Sequence, residues 1–523
     1  MDRAEMIGKI INEDRVFDFV IIGGGATGIG ILLEAVSRGY SAVLFEASDF
    51  TKSTSSKSTK LVHGGVRYLA QGNIGLVREA SVERGRILQN APHLSKNLSF
   101  IIPAYGFFDE IKYIIGLKIY DLLAGSFSLG RSYRISGKKV RSAFPNLEKA
   151  GLKGGIVYHD GQFDDSRLAV SLLKSAVELG AVAVNYMPVR KFFKDESGSL
   201  DACQVEDLET GNVHRINGRA FINATGVFAD EIMEMDHEHH RISIRPSQGI
   251  HIVIDRKFLP GEHALMIPKT DDGRVLFAVP WHGKLVLGTT DTPVDHISNE
   301  PEALEEEIEF ILRTAGKYLE SPPGTSDILS VFAGLRPLAA PEEGKSKTKE
   351  ISRSHKIIRS ESGLLTIIGG KWTTYRKMAE DLVSRAEKEF NFKKTSSATK
   401  NLRIFGYLED PDFNDPLYYY GSEIDEVRKS SDGKKDELLS PELGIYTSQV
   451  MYAVRREMAR KPEDFLARRC RALLLDVRES IRIIEKVAGI MAAELGKDAA
   501  WISKEVGEYN QLASRYLPAG LPG

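Results

Sequence analysis

Cysteine is nearly absent from this chain of 523 residues, which contains only Cys203 and Cys470. Two thiols can build neither a disulfide framework nor a cysteine-rich metal centre, and no metal site is predicted. So few cysteines are typical of a protein in a reducing compartment, where each thiol serves as a small buried side chain.

Long apolar runs are missing as well. No stretch reaches the ~18 uninterrupted apolar residues of a membrane-spanning helix. The nearest candidate, residues 111–124, is short and contains Lys112, Lys118 and Asp121. It can lie on a membrane surface or form an ordinary core helix, and the core helix is the expected outcome. The N-terminus carries acids and precedes no apolar run, so no signal peptide is expected.

An excess of charge of one sign is also missing. The chain has 70 basic and 72 acidic residues, a net charge of −2. This balance gives no support for a nucleic-acid partner, which would favour a basic surface. The length predicts two or three domains.

A glycine-rich turn near the N-terminus carries the first functional signal. Residues 18–22 are typical of a buried strand, and Gly23, Gly25 and Gly28 follow it with G-x-G-x-x-G spacing. The first glycine makes the turn, the second admits a pyrophosphate, and the third packs a helix on the strand. A helix over 26–38 and a strand over 42–45 complete a βαβ unit of a doubly wound parallel α/β sheet.

The residue at the end of that second strand is Glu46, where a carboxylate accepts hydrogen bonds from ribose hydroxyls. No second fingerprint follows, which favours FAD over a nicotinamide cofactor. The polar stretch TKSTSSKSTKLVHGGVRYL at 51–69 suits a long ligand, although a solvated loop is the alternative. The predicted FAD contacts, besides those already named, are Thr27, Thr54, Ser55, Ser58, Thr59, His63, Gly64, Gly65, Val189, Thr225, Gly226, Gly370, Lys371, Thr373 and Thr374.

The rest of the chain predicts further domains. Residues 277–281 and 284–288 are typical of paired strands around a His282-Gly283 turn, and 442–516 is rich in helical patterns. The FAD-binding domain is therefore predicted within 1–395, at about 15–100, 155–230 and 360–390. An antiparallel substrate-capping domain is interleaved with it at about 101–154 and 240–355. A connector over 396–435 and a C-terminal helical domain over 436–523 complete the chain.

Cations stand at unusual positions. Arg336 lies among small and apolar neighbours, Arg67 follows a glycine pair, Arg353 precedes His355, and Lys371 lies in a glycine–helix junction over 369–374. A cluster of such cations suits a phosphorylated or carboxylate substrate. The alternative for each one is an internal ion pair with an acid.

Together these motifs resemble the FAD-dependent glycerol-3-phosphate dehydrogenases of the aerobic respiratory type. The most specific stretches are STSSKSTKLVHGGVRYL at 53–69, YHDGQFDDSR at 158–167 and GGKWTTYRKMAED at 369–381. The resemblance implies a glycine-oxidase-like FAD domain, a substrate-capping sheet and a C-terminal helical domain. It also implies oxidation of sn-glycerol 3-phosphate to dihydroxyacetone phosphate, with a hydride passing from C2 to the flavin and electrons passing on to a membrane quinone.

The resemblance also implies residue roles. Arg336 and Arg353 match substrate-gripping arginines, Lys371 matches the lysine beside the flavin, and Arg67 and Tyr68 match the pair after the HGG turn. A base must remove the hydroxyl proton. Among the alternatives, His251 is the first choice, His63 the second, and a cation that stabilises the alkoxide the third.

Several alternatives stay open at this stage. The chain has Val227-Phe228 where family members often have Pro-Trp. An oxidase that makes hydrogen peroxide, an amine or amino-acid oxidase, and a non-catalytic flavoprotein are all compatible with the pattern. Cytoplasmic location with peripheral attachment to the inner face of the cell membrane is predicted from residues 111–123 and from five nearby cations, and a homodimer is among the options. These cations are Arg131, Arg134, Lys138, Lys139 and Arg141.

Overall fold

A computed structural model describes residues 1–11, 14–70, 72–237, 243–271, 273–339, 355–433 and 435–521. Two of the predicted site residues fall partly or wholly outside this description. Arg353 lies outside the described residues, and Arg67 is described in its backbone but not in its side chain.

The first sheet is the predicted nucleotide-binding sheet. Its central strands run parallel in the order β18, β10, β1, β2, β7, while β17 pairs antiparallel with β18 and a β8–β9 ribbon extends from β10. These strands are nearly continuous apolar runs because helices cover both faces of a parallel sheet. Their bounds are β1 (Val16–Ile22), β2 (Ala42–Phe45), β7 (Val182–Val184), β8 (Val189–Lys194), β9 (Leu200–Glu206), β10 (Val213–Asn223), β17 (Lys356–Arg359) and β18 (Leu365–Ile368).

The second sheet forms the cap. Its order is β15, β11, β14, β13, β12, β4, β6, β3, with β16 beside β11 and β5 beside β6. All pairs described are antiparallel except β4 with β12. The bounds are β3 (Leu61–Val62), β4 (Ser95–Ala104), β5 (Tyr133–Ser136), β6 (Gly154–Phe163), β11 (Ile244–Asp255), β12 (Ala264–Ile267), β13 (Leu276–Trp281), β14 (Lys284–Gly288), β15 (Thr292–Pro293) and β16 (Ile328–Ala339).

Helices cover the sheets and form the C-terminal part, where two short strands, β19 (Leu438–Ser440) and β20 (Ile445–Tyr446), also pair. The helices are α1 (Arg3–Gly8), α2 (Ala26–Ser37), α3 (Val66–Ala70), α4 (Ile74–Asn90), α5 (Phe107–Ala124), α6 (Gly137–Ala143), α7 (Asp165–Glu178), α8 (Ala229–Asp236), α9 (Glu305–Gly316), α10 (Tyr375–Glu389), α11 (Ile424–Lys429), α12 (Thr447–Glu457), α13 (Ala472–Leu475), α14 (Val477–Leu495) and α15 (Ala499–Ser514).

The cores follow this layering. One large cluster fills the space between the parallel sheet and helices α2, α7 and α10. A second joins the C-terminal helices to the cap sheet through Val253, Trp281 and Phe332. The C-terminal helical domain therefore packs directly on the cap sheet and shares a hydrophobic core with it.

The observed segments interleave more finely than the proposed domain boundaries. Strand β6 and the first half of β4 were expected in the FAD-binding domain, but both belong to the cap sheet, as does β3. The reason is that β6 pairs with β3, β4 and β5 along its length. The predicted hairpin around His282 is present, with Trp281 paired to Lys284.

The expectation of an ordinary core helix over 111–124 holds for one face of α5, where Leu117 and Tyr120 are buried, but not for the other. In α5, Phe108, Ile111, Ile115, Ile119 and Leu122 are all exposed. Within the described ranges, no helix has both the length and the apolar composition needed to cross a bilayer.

Candidate active site

A cavity of about 430 Å³ opens at the carboxyl ends of β1, β2 and β10. This edge is where open parallel sheets bind their ligands. Predicted cofactor residues gather on its wall, and the sheet edge, the 51–55 loop and the 369–372 junction each contribute. These residues are Gly23, Gly25, Thr27, Glu46, Thr54, Ser55, Val189, Thr225, Gly226, Gly370 and Lys371.

The fingerprint glycines are required for different reasons. Gly23 has φ +105°, and a Cβ there would lie 2.8 Å from the carbonyl oxygen of Ala224. A Cβ on Gly28 would lie 1.9 Å from the carbonyl oxygen of Gly23, so only glycine lets α2 approach the turn. Gly25 is less crowded, with Ser55 Oγ at 3.1 Å as its nearest contact. The absence of a side chain at Gly25 therefore leaves the backbone at the start of α2 open to a ligand.

Glu46 follows β2, and its side chain contacts the same glycine turn. Its carboxylate accepts hydrogen bonds from the backbone N–H of Gly24 at 2.6 Å and of Ser48 at 2.8 Å. Burial raises the pKa of Glu46, and the two backbone donors oppose that shift. The side chain is thus locked beside the cavity, where its oxygens can also accept from sugar hydroxyls.

The polar loop connects the parts of this cavity. Ser55 Oγ accepts from the backbone N–H of Ala26 at 2.9 Å, and the Trp372 indole donates to the Ser55 carbonyl at 2.8 Å. Thr54 Oγ1 donates to the carbonyl of Leu335 in the cap at 2.6 Å. An open glycine turn, a helix N-terminus and a carboxylate at the end of the next strand, all in one cavity, fit the pyrophosphate and ribose of FAD.

A second cavity of about 210 Å³ lies between the HGG turn and the cap sheet. The predicted residues Thr59, His63, Gly65, Tyr68 and Arg336 line it. Its wall also contains residues that the sequence did not single out: Leu61, Val66, Phe100, Tyr158, Asp160, Met266, Arg274, Val275, Phe277, Thr289, Thr290 and Asp291. Most of the apolar part of this wall comes from cap strands, so the cap forms one side of the cavity.

The two cavities meet at Lys371. This lysine lines the first cavity, and its Nζ lies 3.7 Å from the centre of the Tyr68 ring, which lines the second. The Thr373 hydroxyl accepts from the backbone N–H of His63 at 3.3 Å, so the junction also holds the HGG turn. A ligand that extends past its pyrophosphate would reach the second cavity at this point.

Comparison with known proteins assigns this arrangement to a family. Sequence models match at residues 18–376 for the family described as FAD dependent oxidoreductase and at 361–501 for the C-terminal domain of alpha-glycerophosphate oxidase. The mitochondrial glycerol-3-phosphate dehydrogenase of Schizosaccharomyces pombe is 35% identical over 96% of this chain and 87% of its own length. The chain belongs to the FAD-dependent glycerol-3-phosphate dehydrogenase family. The human mitochondrial member is 37% identical over 92% of this chain and 71% of its own.

Solved structures agree with this membership. A glycerol-3-phosphate dehydrogenase from Bacillus halodurans, solved in complex with FAD, is 30% identical, covers 100% of this chain and 99% of its own, and has a TM-score of 0.81. L-alpha-glycerophosphate oxidase from Mycoplasma pneumoniae, at 16% identity and a TM-score of 0.57 over 74% of this chain and 98% of its own, shares the fold. The predicted family, the glycine-oxidase-like fold and FAD as the cofactor are thereby confirmed.

Arg336 lines the second cavity, and hydrogen bonds fix its guanidinium group there. Nη1 donates to the Gln248 carbonyl at 3.1 Å and to Asp291 at 3.2 Å, and Nη2 donates to Thr289 Oγ1 and the Thr290 carbonyl. A Cβ on Gly249 would lie 2.2 Å from Nη2, so the guanidinium packs on a glycine. Arg336 is thus ion-paired with Asp291 and fixes the cavity segment 289–291.

His251 is buried behind this cavity. Its Nε2 meets Thr59 Oγ1 at 2.9 Å, and its ring stacks on Phe332. Burial holds the pKa of His251 well below its usual range, and the charges of Lys60 and Arg336 add to the effect. The histidine is therefore neutral near pH 7 and contacts Thr59 of the cavity wall, whereas His63 lies on the cavity wall itself.

Three other residues predicted to contact the cofactor, Ser58, Gly64 and Thr374, form hydrogen bonds within the protein. The Ser58 hydroxyl donates to buried Asp165 at 2.7 Å. The Gly64 N–H donates to Tyr120 at 2.8 Å, and Thr374 Oγ1 donates to the Lys371 carbonyl at 3.3 Å. Ser58 therefore adds a hydrogen bond to the ion pair between Asp165 and Lys60, whose Nζ lies 2.8 Å from the Asp165 carboxylate.

Arg274, Asp160 and Asp291 are the charged residues of the second cavity that the sequence did not single out. Asp160 lies in the YHDGQF stretch that carried the resemblance, so a signal existed. Its carboxylate is neutralised by Arg84 at 2.7 Å. Arg274 follows a polar turn closed by Thr270, whose N–H donates to the Arg274 carbonyl at 3.0 Å. Nothing in the local pattern separates this arginine from a surface one.

Proposed function

We propose that the chain oxidises sn-glycerol 3-phosphate to dihydroxyacetone phosphate. The observation that carries this proposal is the second cavity, which joins the FAD cavity at Lys371 and has two arginines, Arg274 and Arg336, on its wall. The two aspartates of the same wall are each paired with an arginine, Asp160 with Arg84 and Asp291 with Arg336. Several cations favour a phosphate dianion, whereas an amino acid needs one cation for its carboxylate. The names of the Schizosaccharomyces pombe and human relatives support the same substrate.

Bound FAD supplies the acceptor for the hydride that leaves C2. The residues of the chain orient the substrate for that transfer, and orientation alone contributes much of the rate in such reactions. Arg274 and the field of Arg336 hold the phosphate at the cap, and Lys371 adds positive charge where the two cavities meet. The apolar strands of the cap exclude water from the second cavity.

The hydroxyl proton needs an acceptor within hydrogen-bond reach of the substrate. His63 satisfies this condition directly, because it lines the cavity. His251 would act through the Thr59 hydroxyl, 2.9 Å from its Nε2. The geometry thus favours His63 over His251, reversing the order expected from the sequence.

An anaerobic titration tests the reaction. Glycerol 3-phosphate is expected to bleach the flavin absorbance of the wild-type protein, and glycerol at the same concentration is expected to bleach it far less. A His63→Gln variant should bind FAD but reduce it slowly, whereas His251→Gln should reduce it at a rate closer to wild type. Failure of glycerol 3-phosphate to bleach the flavin would refute the proposed activity.

We further propose that a membrane quinone accepts the electrons while α5 holds the enzyme at the cytoplasmic face of the cell membrane. Its exposed apolar residues form a stripe within roughly 80° of the helix circumference at 3.6 residues per turn. Phe108 and Leu122, at its ends, are 86% and 79% exposed. Lys112 and Lys118 lie on opposite sides of the stripe, where basic side chains reach anionic headgroups.

The exposure of the basic residues predicted for this surface supports the proposal. Arg131, Arg134, Lys138 and Lys139 are exposed in the segment that follows α5. An apolar stripe with adjacent cations fits an anionic lipid surface better than a protein partner, because each juxtamembrane cation adds about 1 kcal/mol of attraction to such a surface.

Vesicle flotation tests the docking surface. Anionic vesicles are expected to carry the protein at low salt, and neutral vesicles are expected to carry less. Ile115→Ser with Leu122→Ser should abolish flotation, while the control Leu179→Ser, at a residue 47% exposed outside α5, should not. Equal flotation of both variants would exclude α5 as the docking site.

The acceptor needs its own measurement. Oxygen consumption and peroxide yield per substrate oxidised are compared with and without a quinone analogue. Quinone reduction with little peroxide is expected. Stoichiometric peroxide that the quinone does not lower would instead identify an oxidase.

A further inference from the structure

Helix α5 has a second face that the proposed membrane docking does not use. Opposite the exposed stripe, Leu117 and Tyr120 are each 1% exposed. Leu117 packs in a cluster with Phe100, Tyr158 and Met266, all of which line the second cavity. One helix therefore presents an apolar stripe to the outside and supports the substrate cavity with its inner face.

The Tyr120 hydroxyl is the centre of a saturated hydrogen-bond network. It accepts from the Gly64 N–H at 2.8 Å and from Arg84 Nη1 at 3.1 Å, and it donates to Asp160 Oδ2 at 2.9 Å. A phenol has one donor and two acceptor positions, so all three are used. Burial raises the pKa of Tyr120 well above its usual range, which keeps the phenol protonated as this network requires.

The partners of Tyr120 are parts of the substrate cavity. Asp160 lines it, and Gly64 lies between His63 and Gly65, which both line it. A Cβ on Gly64 would lie 2.4 Å from the Tyr120 oxygen, so the HGG turn is in close contact with the helix. A small displacement of α5 must therefore move either this turn or its hydrogen bonds.

We propose that Tyr120 is a positioning residue through which α5 sets the shape of the substrate cavity, so that docking of α5 on an anionic bilayer changes the affinity for substrate. The second half of this inference rests on the proposed docking surface. Coupling between two sites is reciprocal, so substrate must change the affinity for vesicles by the same factor. Typical couplings correspond to about 5-fold to 150-fold.

The test compares Tyr120→Phe with Tyr105→Phe in the FAD-loaded enzyme. The Tyr105 hydroxyl donates to the Glu148 carbonyl at 3.0 Å, and neither residue lines the cavity, so the control loses one phenol hydrogen bond elsewhere. Without vesicles, Tyr120→Phe is expected to raise KM for glycerol 3-phosphate at least 5-fold with a smaller change in kcat, and Tyr105→Phe to leave KM unchanged.

Anionic vesicles provide the second measurement. In wild type and in Tyr105→Phe they are expected to shift KM, and saturating glycerol 3-phosphate is expected to shift the vesicle Kd in the same direction. Tyr120→Phe should bind vesicles and lose both shifts. If that variant does not fold, Leu117→Val, which loosens the same buried face without removing a hydrogen bond, is measured in the same way.

Two results would overturn the inference. An unchanged KM in Tyr120→Phe removes the positioning role, and vesicle binding without any KM shift in wild type removes the coupling. Failure of the wild-type protein to bind vesicles would instead refute the docking surface and with it the coupling, while the vesicle-free KM comparison still decides the role of Tyr120.

Discussion

Replacement of Arg274 by methionine gives the sharpest test of the substrate cavity. Arg274 lines that cavity and lies over the Phe310 ring at 5.7 Å, so methionine keeps most of the packing and removes the charge. A hydrogen bond to a charged group contributes about 1.5–3 kcal/mol. Because Arg274 is half-buried, the middle of that range applies, and a loss of about 2 kcal/mol corresponds to a KM about thirtyfold higher.

Steady-state kinetics with two substrates isolates this effect. KM for glycerol 3-phosphate is expected to rise about thirtyfold, whereas kcat/KM for glycerol, which lacks the phosphate, should hardly change. Arg313→Met is the matched control, because Arg313 is 58% exposed on α9 and does not line the cavity. If Arg274→Met lowered kcat/KM equally for both substrates, or not at all, the assignment of Arg274 to the phosphate would be wrong.

Three further predictions concern other parts of the molecule. Gly28→Ala should yield protein without flavin absorbance, because the new Cβ meets the Gly23 carbonyl at 1.9 Å. Asp49→Asn should cost about 3–5 kcal/mol of stability, because buried Arg469 loses its bidentate partner. The loss should appear as a lower midpoint of thermal unfolding and as FAD released on dialysis. His251→Gln should flatten the acid side of the profile of stability against pH. Burial lowers the pKa of His251, so below about pH 6.5 the unfolded chain binds a proton that the folded protein does not. Wild-type stability therefore falls as pH falls, which thermal midpoints at pH 5 and 7.5 will measure.

The nucleotide-binding half of the site could be predicted because its requirements are local. A side chain at Gly28 would collide with Gly23, a few positions away, and a side chain at Gly23 would collide with Ala224, which follows the adjoining strand β10. Glu46 directly follows the next strand, β2. The parallel pairing of β1 with β2 follows from the βαβ unit itself. Such features leave a periodic mark in a single sequence.

The substrate half could not be predicted in the same way because it depends on contacts between distant segments. The burial of His251 arises from the pairing of β11 with β14 and β16, and its contact with Thr59 joins two segments that are far apart in sequence. The position of Arg274 depends on how β12 pairs with β13 and with β4. Apolar residues at helical spacing in α5 have the same pattern whether they face a core or the exterior, so the sequence did not distinguish its buried face from its exposed one.

The C-terminal domain contributes to the cofactor site through charges that no local pattern could pair. Arg469 forms a bidentate interaction with Asp49 at 2.8 Å, and Arg468 donates to the same carboxylate at 2.5 Å, across 420 and 419 positions of sequence. Glu463 binds Lys52, which lines the FAD cavity, at 2.7 Å. A buried charge without its partner is strongly unfavourable, so these ion pairs tie the loop that follows Asp49 to the C-terminal domain. Residues from both ends of the chain therefore stabilise the wall of the first cavity, although its glycine fingerprint lies at one end.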